Sequence, residues 1–394
     1  MVFSTRARPT VALLIVAAGI LFGSLYPFDF APDADPRTAA RYLLSTWRVW
    51  DVGDDLLANV LAYMPLGALA VLAVSPRVPA ALRVLLASLG GVLLSAGVEL
   101  AQFSDAVRVT SMGDVYANGT GATAGAVLAA VAGGVRGPFK DALRARPDAA
   151  VVLIAWLGWQ LYPFYPAAEL GGLWLAWHKV TIPSLPLDDL ARHITVWLLV
   201  AALVDALCGG GRRWLAVFVL LAGCEVLGRV LVSGDPPGLA DLAGAATAGA
   251  LWAVPVRGRL WHSGIVALAL AVLITALRLE PYAFTFPPRA FGWVPFASFV
   301  GGYTGIALQN AFEKTALYGG LIWLLGRSGV PLPIGMGLTA LLLFATSYAQ
   351  TWLPGRTAEI TDAALAVLIG VAFGQMRSGA RPAARDDPPA TKSA

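Results

Sequence analysis

Seven polar residues between positions 55 and 118 stand out in a chain that is otherwise strongly apolar. They combine carboxylate, amide and guanidinium side chains, and they are Asp55, Asn59, Glu99, Gln102, Arg108, Asp114 and Asn118. Spacings of three or four residues within the set place pairs of these side chains on single helix faces. Carboxylates act as general bases or accept hydrogen bonds from a ligand, and the planar fork of Arg108 suits a carboxylate or a phosphate. The set therefore predicts a binding site for a polar headgroup or an acid–base site.

The same residues also fit a purely structural role. Arg108 lies in a short connection between two apolar segments, from which it can reach Glu99 or Asp114 and clamp a helical hairpin. Asp114 opens the second of these segments, where a negative charge stabilises a helix N-terminus. In both roles the ionisable groups should turn inward and find partners, because their exposure to lipid is costly. The sequence leaves the structural and the ligand-binding interpretation open.

Two later parts of the chain repeat this polar pattern in the same order. The residues that echo the first set are Asp189, His193, Glu225, Asp241, Gln350, Arg356 and Asp362. The closing aspartate follows Glu99 by 15 residues, Glu225 by 16 and Ser347 by 15. Chance alignment of apolar segments rarely matches charged positions in one order. We interpret these residues as secondary copies of the first set, or as residues that the copies pool around one central site.

The elements that must position these residues are apolar segments of membrane-spanning length. Hydrophobic residues make up 58% of the 394 residues and charged residues 13%, and the mean hydropathy is +0.70. A soluble domain carries about 25% charged residues, so this composition indicates a membrane protein. A span needs about 20 apolar residues. Twelve segments meet this description approximately, at 10–26, 55–75, 80–103, 113–134, 149–165, 188–208, 213–233, 238–255, 261–279, 309–326, 331–352 and 360–376.

The twelve segments fall into three groups of four. The first segment of each group ends in a related motif, which is Leu25-Tyr26-Pro27-Phe28, then Leu161-Tyr162-Pro163-Phe164, then the weaker Glu280-Pro281-Tyr282. Units with an even number of spans enter the membrane in the same sense, so these are parallel repeats. We predict an all-α, polytopic transmembrane bundle of about twelve spans as three parallel four-helix repeats. The units are residues 1–140, a divergent second repeat at 141–258 and a divergent third at 259–376, followed by a disordered cytoplasmic tail at 377–394.

The distribution of basic residues predicts the orientation. Of the 28 basic residues, 17 lie in the termini and in alternate connections, which hold only four acids. Short basic loops stay on the cytoplasmic side of the membrane. We therefore expect a multi-pass protein of the bacterial inner membrane with both termini in the cytoplasm and the polar sets at the extracytoplasmic ends of the helices. On the fourth segment, Gly121-x3-Gly125 predicts close helix contact.

Several classes of partner are not indicated. No block of like charges suggests a nucleic-acid surface. His178, His193 and His262 are scattered without metal-ligand spacing, and we expect no metal and no cofactor. Cys208 and Cys224 lie at or within apolar segments, where small core residues are more common than disulfides. Membrane lipids are the partners that the composition favours, and the sequence does not indicate an oligomeric state.

The first polar set resembles the pattern of the VanZ-like family of bacterial membrane proteins. The resemblance rests on Asp55-x3-Asn59, on Glu99-x2-Gln102-Phe103 and on Arg108-x2-Ser111-x2-Asp114-x3-Asn118-x2-Gly121. It covers residues 50–135 well, whereas the later units are similar in outline only. Asn59 stands where the family commonly has histidine, and His193 keeps the histidine in the second unit. The resemblance implies a cell-envelope role, and the name-giving member is associated with low-level resistance to the glycopeptide teicoplanin.

Three functions remain open at this level. The first is an envelope protein that binds a lipid or cell-wall precursor headgroup through Glu99, Arg108 and Asp114. The second is a membrane enzyme acting on a lipid-linked substrate with one of the carboxylates as general base, although no nucleophile–base pair or phosphate loop supports it. The third is a transporter or flippase, against which the sparse charges at mid-membrane depth weigh.

Overall fold

The structure is a computed structural model, and in the part of the chain that it describes the regular secondary structure is helical. It describes residues 7–26, 28–30, 35–47, 54–105, 110–134, 141, 145–162, 178–179, 181, 185–209, 213–230, 236–253, 260–297 and 304–380. The helices within these ranges are α1 Ala7–Leu25, α2 Pro36–Ser45, α3 Asp54–Ala73, α4 Ala80–Gln102, α5 Met112–Gly134, α6 Pro147–Leu161, α7 Leu187–Leu207, α8 Arg213–Gly228, α9 Leu239–Trp252, α10 Leu260–Leu279, α11 Thr304–Arg327, α12 Leu332–Ala349 and α13 Thr361–Ala380. The prediction of an all-helical fold is confirmed.

Each of the twelve apolar segments predicted from the sequence coincides with one of these helices. Within the described ranges, four helical segments are long and apolar enough to cross a membrane, namely Ala80–Gln102, Leu187–Leu207, Trp261–Leu279 and Leu332–Trp352. Shorter apolar helical segments occur at Pro9–Leu25, Asn59–Ala73 and Pro147–Leu161. These helices identify a membrane protein, while the count of twelve spans and the division into three repeats stay predictions.

Helix α2 was not predicted, because it is short and amphipathic and has no span-length apolar run. Its N-terminus is capped by Asp35, whose carboxylate accepts hydrogen bonds from the backbone N–H groups of Arg37 and Thr38, both at 3.2 Å. The Thr38 hydroxyl donates to the same carboxylate at 2.9 Å. Together these hydrogen bonds lower the pKa of Asp35 below its ordinary value. The helix therefore starts where an Asp–Pro pair supplies both a cap and a preset first turn.

Helices α3 and α5 approach each other closely enough to bring backbone against backbone. A Cβ atom added at Gly121 would lie 2.0 Å from the carbonyl oxygen of Val60, and one at Gly125 would lie 1.9 Å from that of Met64. From the other helix, a Cβ at Gly67 would lie 1.8 Å from the carbonyl oxygen of Ala122. The close contact predicted for the Gly121-x3-Gly125 face is confirmed. It holds the N-terminal ends of α3 and α5 side by side.

The corresponding helices of the predicted second unit, α7 and α9, also pack together. A Cβ at Gly244 of α9 would lie 2.6 Å from the Cβ of His193 on α7. Helix α7 is completely enclosed over residues 199–204, all of them buried. Around it a single hydrophobic core joins α6 to α13 and contains the fully buried Trp156, Trp197 and Trp252. The second and third predicted units thus share one core.

Helices α7 and α11 are linked at two points that indicate the same direction along the bundle. Near their N-terminal ends Arg192 interacts electrostatically with Glu313, and further along Gly320 packs against Leu199. In each pair, the residue of α11 follows the residue of α7 by the same number of positions in the sequence. Lys314 follows His193 by that number too. Because the interval is constant, His193 and Lys314 lie at the same level of the bundle. At the other end of the chain, α13 continues to Ala380, past the position at which the sequence predicts the tail to begin, and the tail itself stays a prediction.

Candidate functional site

In the first unit, the aspartate that opens α5 binds the amide predicted to share its site. Asn59 Nδ2 donates to Asp114 Oδ1 at 2.7 Å. The close packing of α3 on α5 brings the two side chains together, although they are 55 residues apart in the chain. One turn further along α5, Asn118 Nδ2 donates to Ser95 Oγ on α4 at 2.9 Å. Three helices thus meet through polar side chains at one end of the bundle.

Glu99 is the buried carboxylate of this first cluster, with 3% of its surface exposed. Its Oε2 accepts a hydrogen bond from the backbone N–H of Ser111 at 2.8 Å, and its own carbonyl oxygen accepts one from the Thr110 hydroxyl at 3.1 Å. Asp114 lies within electrostatic range of Glu99. The carboxylate therefore anchors the connection between α4 and α5. The carbonyl oxygen Oδ1 of Asn118 is buried without a hydrogen-bond donor among the described residues.

In the second unit, the equivalent aspartate, Asp241, is bound by a histidine, a tryptophan and an arginine. Asp241 Oδ1 lies 3.2 Å from His193 Nδ1 and accepts a hydrogen bond from Trp197 Nε1 at 3.0 Å. Its Oδ2 binds the guanidinium of Arg229. The same guanidinium lies 3.4 Å from Glu225 Oε1, and Glu225 is 1% exposed. These ion pairs and hydrogen bonds form one connected network around Asp241.

His193 connects that network to the surface of the bundle. Its Nε2 lies 3.3 Å from Asp189 Oδ1, one helical turn earlier on α7. Asp189 is substantially exposed, whereas Asp241 on the other side of the ring is almost fully enclosed. The structure therefore brings together all four residues predicted for the second unit. His193 lies between two of the others, Asp189 and Asp241.

In the third unit, Asp362 is bound by two cations. Its Oδ1 lies 2.7 Å from Lys314 Nζ, and its Oδ2 binds the guanidinium of Arg278. Arg278 is 8% exposed and also donates to Thr346 Oγ1 at 2.7 Å, to Tyr318 Oη at 2.9 Å and to Ser347 Oγ at 2.6 Å. All three predicted units thus use one arrangement, in which a residue of the second predicted span binds the aspartate that opens the fourth.

The two glutamines of the predicted sites perform one identical task. Gln102 Nε2 donates to the carbonyl oxygen of Ser24 at 2.8 Å, and Gln350 Nε2 donates to that of Arg278 at 2.8 Å. Ser24 and Arg278 each lie three residues before the proline that ends the first span of their unit. These glutamines therefore satisfy carbonyl groups near the C-terminal ends of α1 and α10.

The turns that follow these two helices also match. Phe28 and Tyr282, the residues directly after the two prolines, both have positive φ, of 66° and 59°. The N–H of Phe28 donates to the Leu25 carbonyl at 2.7 Å, and that of Tyr282 donates to the Leu279 carbonyl at 2.8 Å. A positive φ is uncommon for residues other than glycine. Its recurrence at equivalent positions indicates that the two segments fold by the same local rules.

Arg356, the third-unit counterpart of Arg108, is occupied with backbone carbonyls. Its Nε donates to the Glu280 carbonyl at 2.7 Å and its Nη2 to the Leu277 carbonyl at 3.1 Å, both at the end of α10. This contact ties the connection between α12 and α13 to the end of α10, and so it differs from the clamp of a single hairpin that the sequence offered for Arg108. Arg108 itself, and the side chain of Asp55, lie outside the described residues.

Arg278 and Tyr318 are site residues that the sequence analysis missed. Arg278 lies in the last turn of an apolar helix, where a basic residue is usually assigned to the membrane interface. An arginine within a segment of spanning length was the available signal, because such residues almost always face the bundle interior. Tyr318 carried no signal of its own. Within the described ranges no three His, Cys, Asp or Glu side chains are grouped so that they could hold a metal ion.

Comparison with known proteins supports the resemblance found in the first polar set. The family model described as VanZ/LLP1 matches residues 9–133, which confirms the suspected VanZ-like family for this segment. The matched segment contains α1 to α5 and the whole first cluster. No curated protein and no solved structure matches the chain.

Proposed function

We propose that this VanZ-like membrane protein binds the polar headgroup of a lipid or of a lipid-linked cell-wall precursor at the cluster of its first unit. The observation that carries the proposal is the buried Asn118 Oδ1, which has no hydrogen-bond donor among the described residues, in the same cluster as the buried carboxylate of Glu99. The span-two residue of this cluster is the neutral amide of Asn59, whereas His193 and Lys314 occupy that place in the later units. A guest that supplies donors is therefore favoured at the first cluster.

The acceptors select the chemistry of the headgroup. Glu99 and Asn118 can accept hydrogen bonds from a primary ammonium group or from sugar hydroxyls. A quaternary ammonium group has no N–H and cannot donate in this way. Arg108, which the sequence places in the adjoining connection, is proposed to reach the phosphate of the same headgroup. The ion-pair networks around Asp241 and Asp362 then serve mainly to hold the bundle together.

The cellular setting completes the proposal. The protein lies in the bacterial inner membrane with both termini in the cytoplasm, and its clusters face the extracytoplasmic side. The three four-helix units are parallel copies, a view that the shared level of His193 and Lys314 and the matching turns at Phe28 and Tyr282 support. Labelling of single cysteines with a membrane-impermeant reagent in intact cells tests the orientation. Cysteine at Ser104 should react, whereas cysteine at Arg77 should react only after permeabilisation.

Binding is tested by thermal unfolding of the purified full chain with defined lipids. Phosphatidylethanolamine, or a polyprenyl-diphosphate-linked sugar, should raise the unfolding temperature more than phosphatidylcholine does. Glu99→Gln should remove that difference. Asp205→Asn is the matched control and should keep the difference. Asp205 is an equally buried carboxylate, and it lies at the end of α7 that is remote from His193. Equal stabilisation by all three lipids, or an unchanged preference in Glu99→Gln, refutes the proposal.

A further inference from the structure

The segment 281–297, which follows α10, is an ordered aromatic lobe. It contains six aromatic residues, and their most exposed members are Phe286 at 81% and Trp293 at 65%. Its one charged side chain is Arg289, which is exposed, although its guanidinium donates to the carbonyl oxygens of Gln350, Leu353 and Arg356. Apart from this arginine, the exposed side chains of the lobe are mainly apolar and aromatic.

The backbone of the lobe is tied to the connection between α12 and α13. The N–H groups of Thr285 and Arg289 donate to the carbonyls of Trp352 and Thr351 at 2.7 and 2.9 Å, and that of Gly292 donates to the Ala358 carbonyl at 2.8 Å. Near the end of the lobe, the N–H of Phe296 donates to Thr361 Oγ1 at 2.7 Å. The lobe also contains four prolines, which have no N–H to satisfy. Many backbone positions of the lobe therefore either donate a hydrogen bond within the protein or have no N–H group to donate.

The lobe lies along the side of α12 and also contacts the residues that directly follow this helix. Phe291 contacts the rings of both Tyr348 and Phe344, with centroid separations of 5.8 Å in each case. Trp293 lies 6.5 Å from the Phe344 ring. Phe344 precedes Trp352 by eight residues, which is about 12 Å of helix rise. Because α12 belongs to a segment long and apolar enough to cross a membrane, its lateral face borders lipid, and so does the lobe packed on it.

We propose that residues 281–297 are an interfacial anchor that inserts Phe286 and Trp293 among the lipids at the end of the bundle that carries the polar clusters. Aromatic side chains are favoured at the boundary between headgroups and acyl chains. A lipid-facing backbone needs its hydrogen bonds satisfied within the protein, and the bonds to residues 350–361 supply several of them. The lobe thereby holds the turn after α10, and with it the Arg278 network, at a defined depth. This inference does not depend on headgroup binding at the first cluster.

Electron paramagnetic resonance of spin-labelled full-length protein in lipid nanodiscs tests the anchor. In a background with Cys208 and Cys224 replaced by serine, labels are attached at Phe286→Cys and Trp293→Cys. Matched controls are Arg77→Cys, in an exposed polar turn, and Leu338→Cys, on the outward face of α12. Collision with oxygen relative to a water-soluble nickel complex should be severalfold higher at both lobe positions than at Arg77, and should approach the value at Leu338.

Two results overturn the proposal. A nickel accessibility at Phe286 and Trp293 equal to that at Arg77 would place the lobe in water. Low collision rates with both oxygen and nickel would mean that protein, and not lipid, covers the lobe. The substitutions themselves remove exposed side chains, so folding of the labelled variants is expected to match the cysteine-free parent.

Discussion

Asn59 donates a 2.7 Å hydrogen bond to Asp114, and this one contact joins the second predicted span of the first unit to its fourth. The same connection is made by His193 with Asp241 and by Lys314 with Asp362. The aspartate is constant, while its partner changes from a neutral amide to an imidazole and an ammonium group. The second predicted span therefore contributes a different chemical group to each of the three clusters.

Replacement of Asn59 should lower stability in an order set by charge. Asn59→Leu leaves Asp114 without its amide donor, which costs about 1–3 kcal/mol for a buried group. Asn59→Asp adds like-charge repulsion and should cost more. The exchange Asn59→Asp with Asp114→Asn restores one amide and one carboxylate, and should recover most of the loss. Unfolding temperatures of these three variants and the parent measure the order, and a double variant no better than Asn59→Asp would contradict it.

Removing the buried arginine from the third cluster should strongly lower the free energy of unfolding. Arg278→Met leaves Asp362 with Lys314 alone and strands three further acceptors, and loss of one partner of a buried pair costs about 3–5 kcal/mol. Arg83→Met, in the first turn of α4, is the control and should have a much smaller effect. Thermal unfolding in one detergent compares them. Comparable losses in both variants would show that Arg278 has no special role.

The glutamine contacts predict equal behaviour at two distant places. Gln102→Leu and Gln350→Leu each remove the donor from a helix-terminal carbonyl, so each should cost about 1–3 kcal/mol. Gln375→Leu, on the last helix, provides a comparison outside this geometry. Protease sensitivity of the turns after α1 and α10 gives a local readout. If only one of the two variants loosens its turn, the equivalence of the first and third units fails.

The contact between α3 and α5 predicts intolerance of a single methyl group. Gly121→Ala would place a Cβ 2.0 Å from the Val60 carbonyl oxygen, so the helices must separate, at a cost of about 1–3 kcal/mol. Gly97→Ala on α4 is the matched control, because no atom lies within 4 Å of its added Cβ. Unfolding temperatures should fall for Gly121→Ala and stay unchanged or rise for Gly97→Ala. The reverse ranking would mean that α3 and α5 are farther apart than described.

The sequence by itself determined the helical class, the position of every apolar helix and most members of the polar clusters. Span-length apolar runs admit only helices in lipid, and a charged group in such a run must face the interior, so Glu99, Asp241 and Asp362 were recognisable without coordinates. Helix α2 escaped because its signal is local: a cap at Asp35 and a short amphipathic run. The end of α13 at Ala380 also escaped the sequence analysis, since this helix continues past its apolar part.

Only the tertiary structure decided which polar groups bind each other. The partners of Arg278 come from α11, α12 and α13, and sequence spacing carries no information on contacts between separate helices. The tertiary structure likewise places Arg356 against backbone carbonyls and Glu99 against the Ser111 amide. The physical reason is that helix periodicity specifies the face of each side chain, whereas pairing depends on how close the backbones pack, which glycines such as Gly121 and Gly125 control.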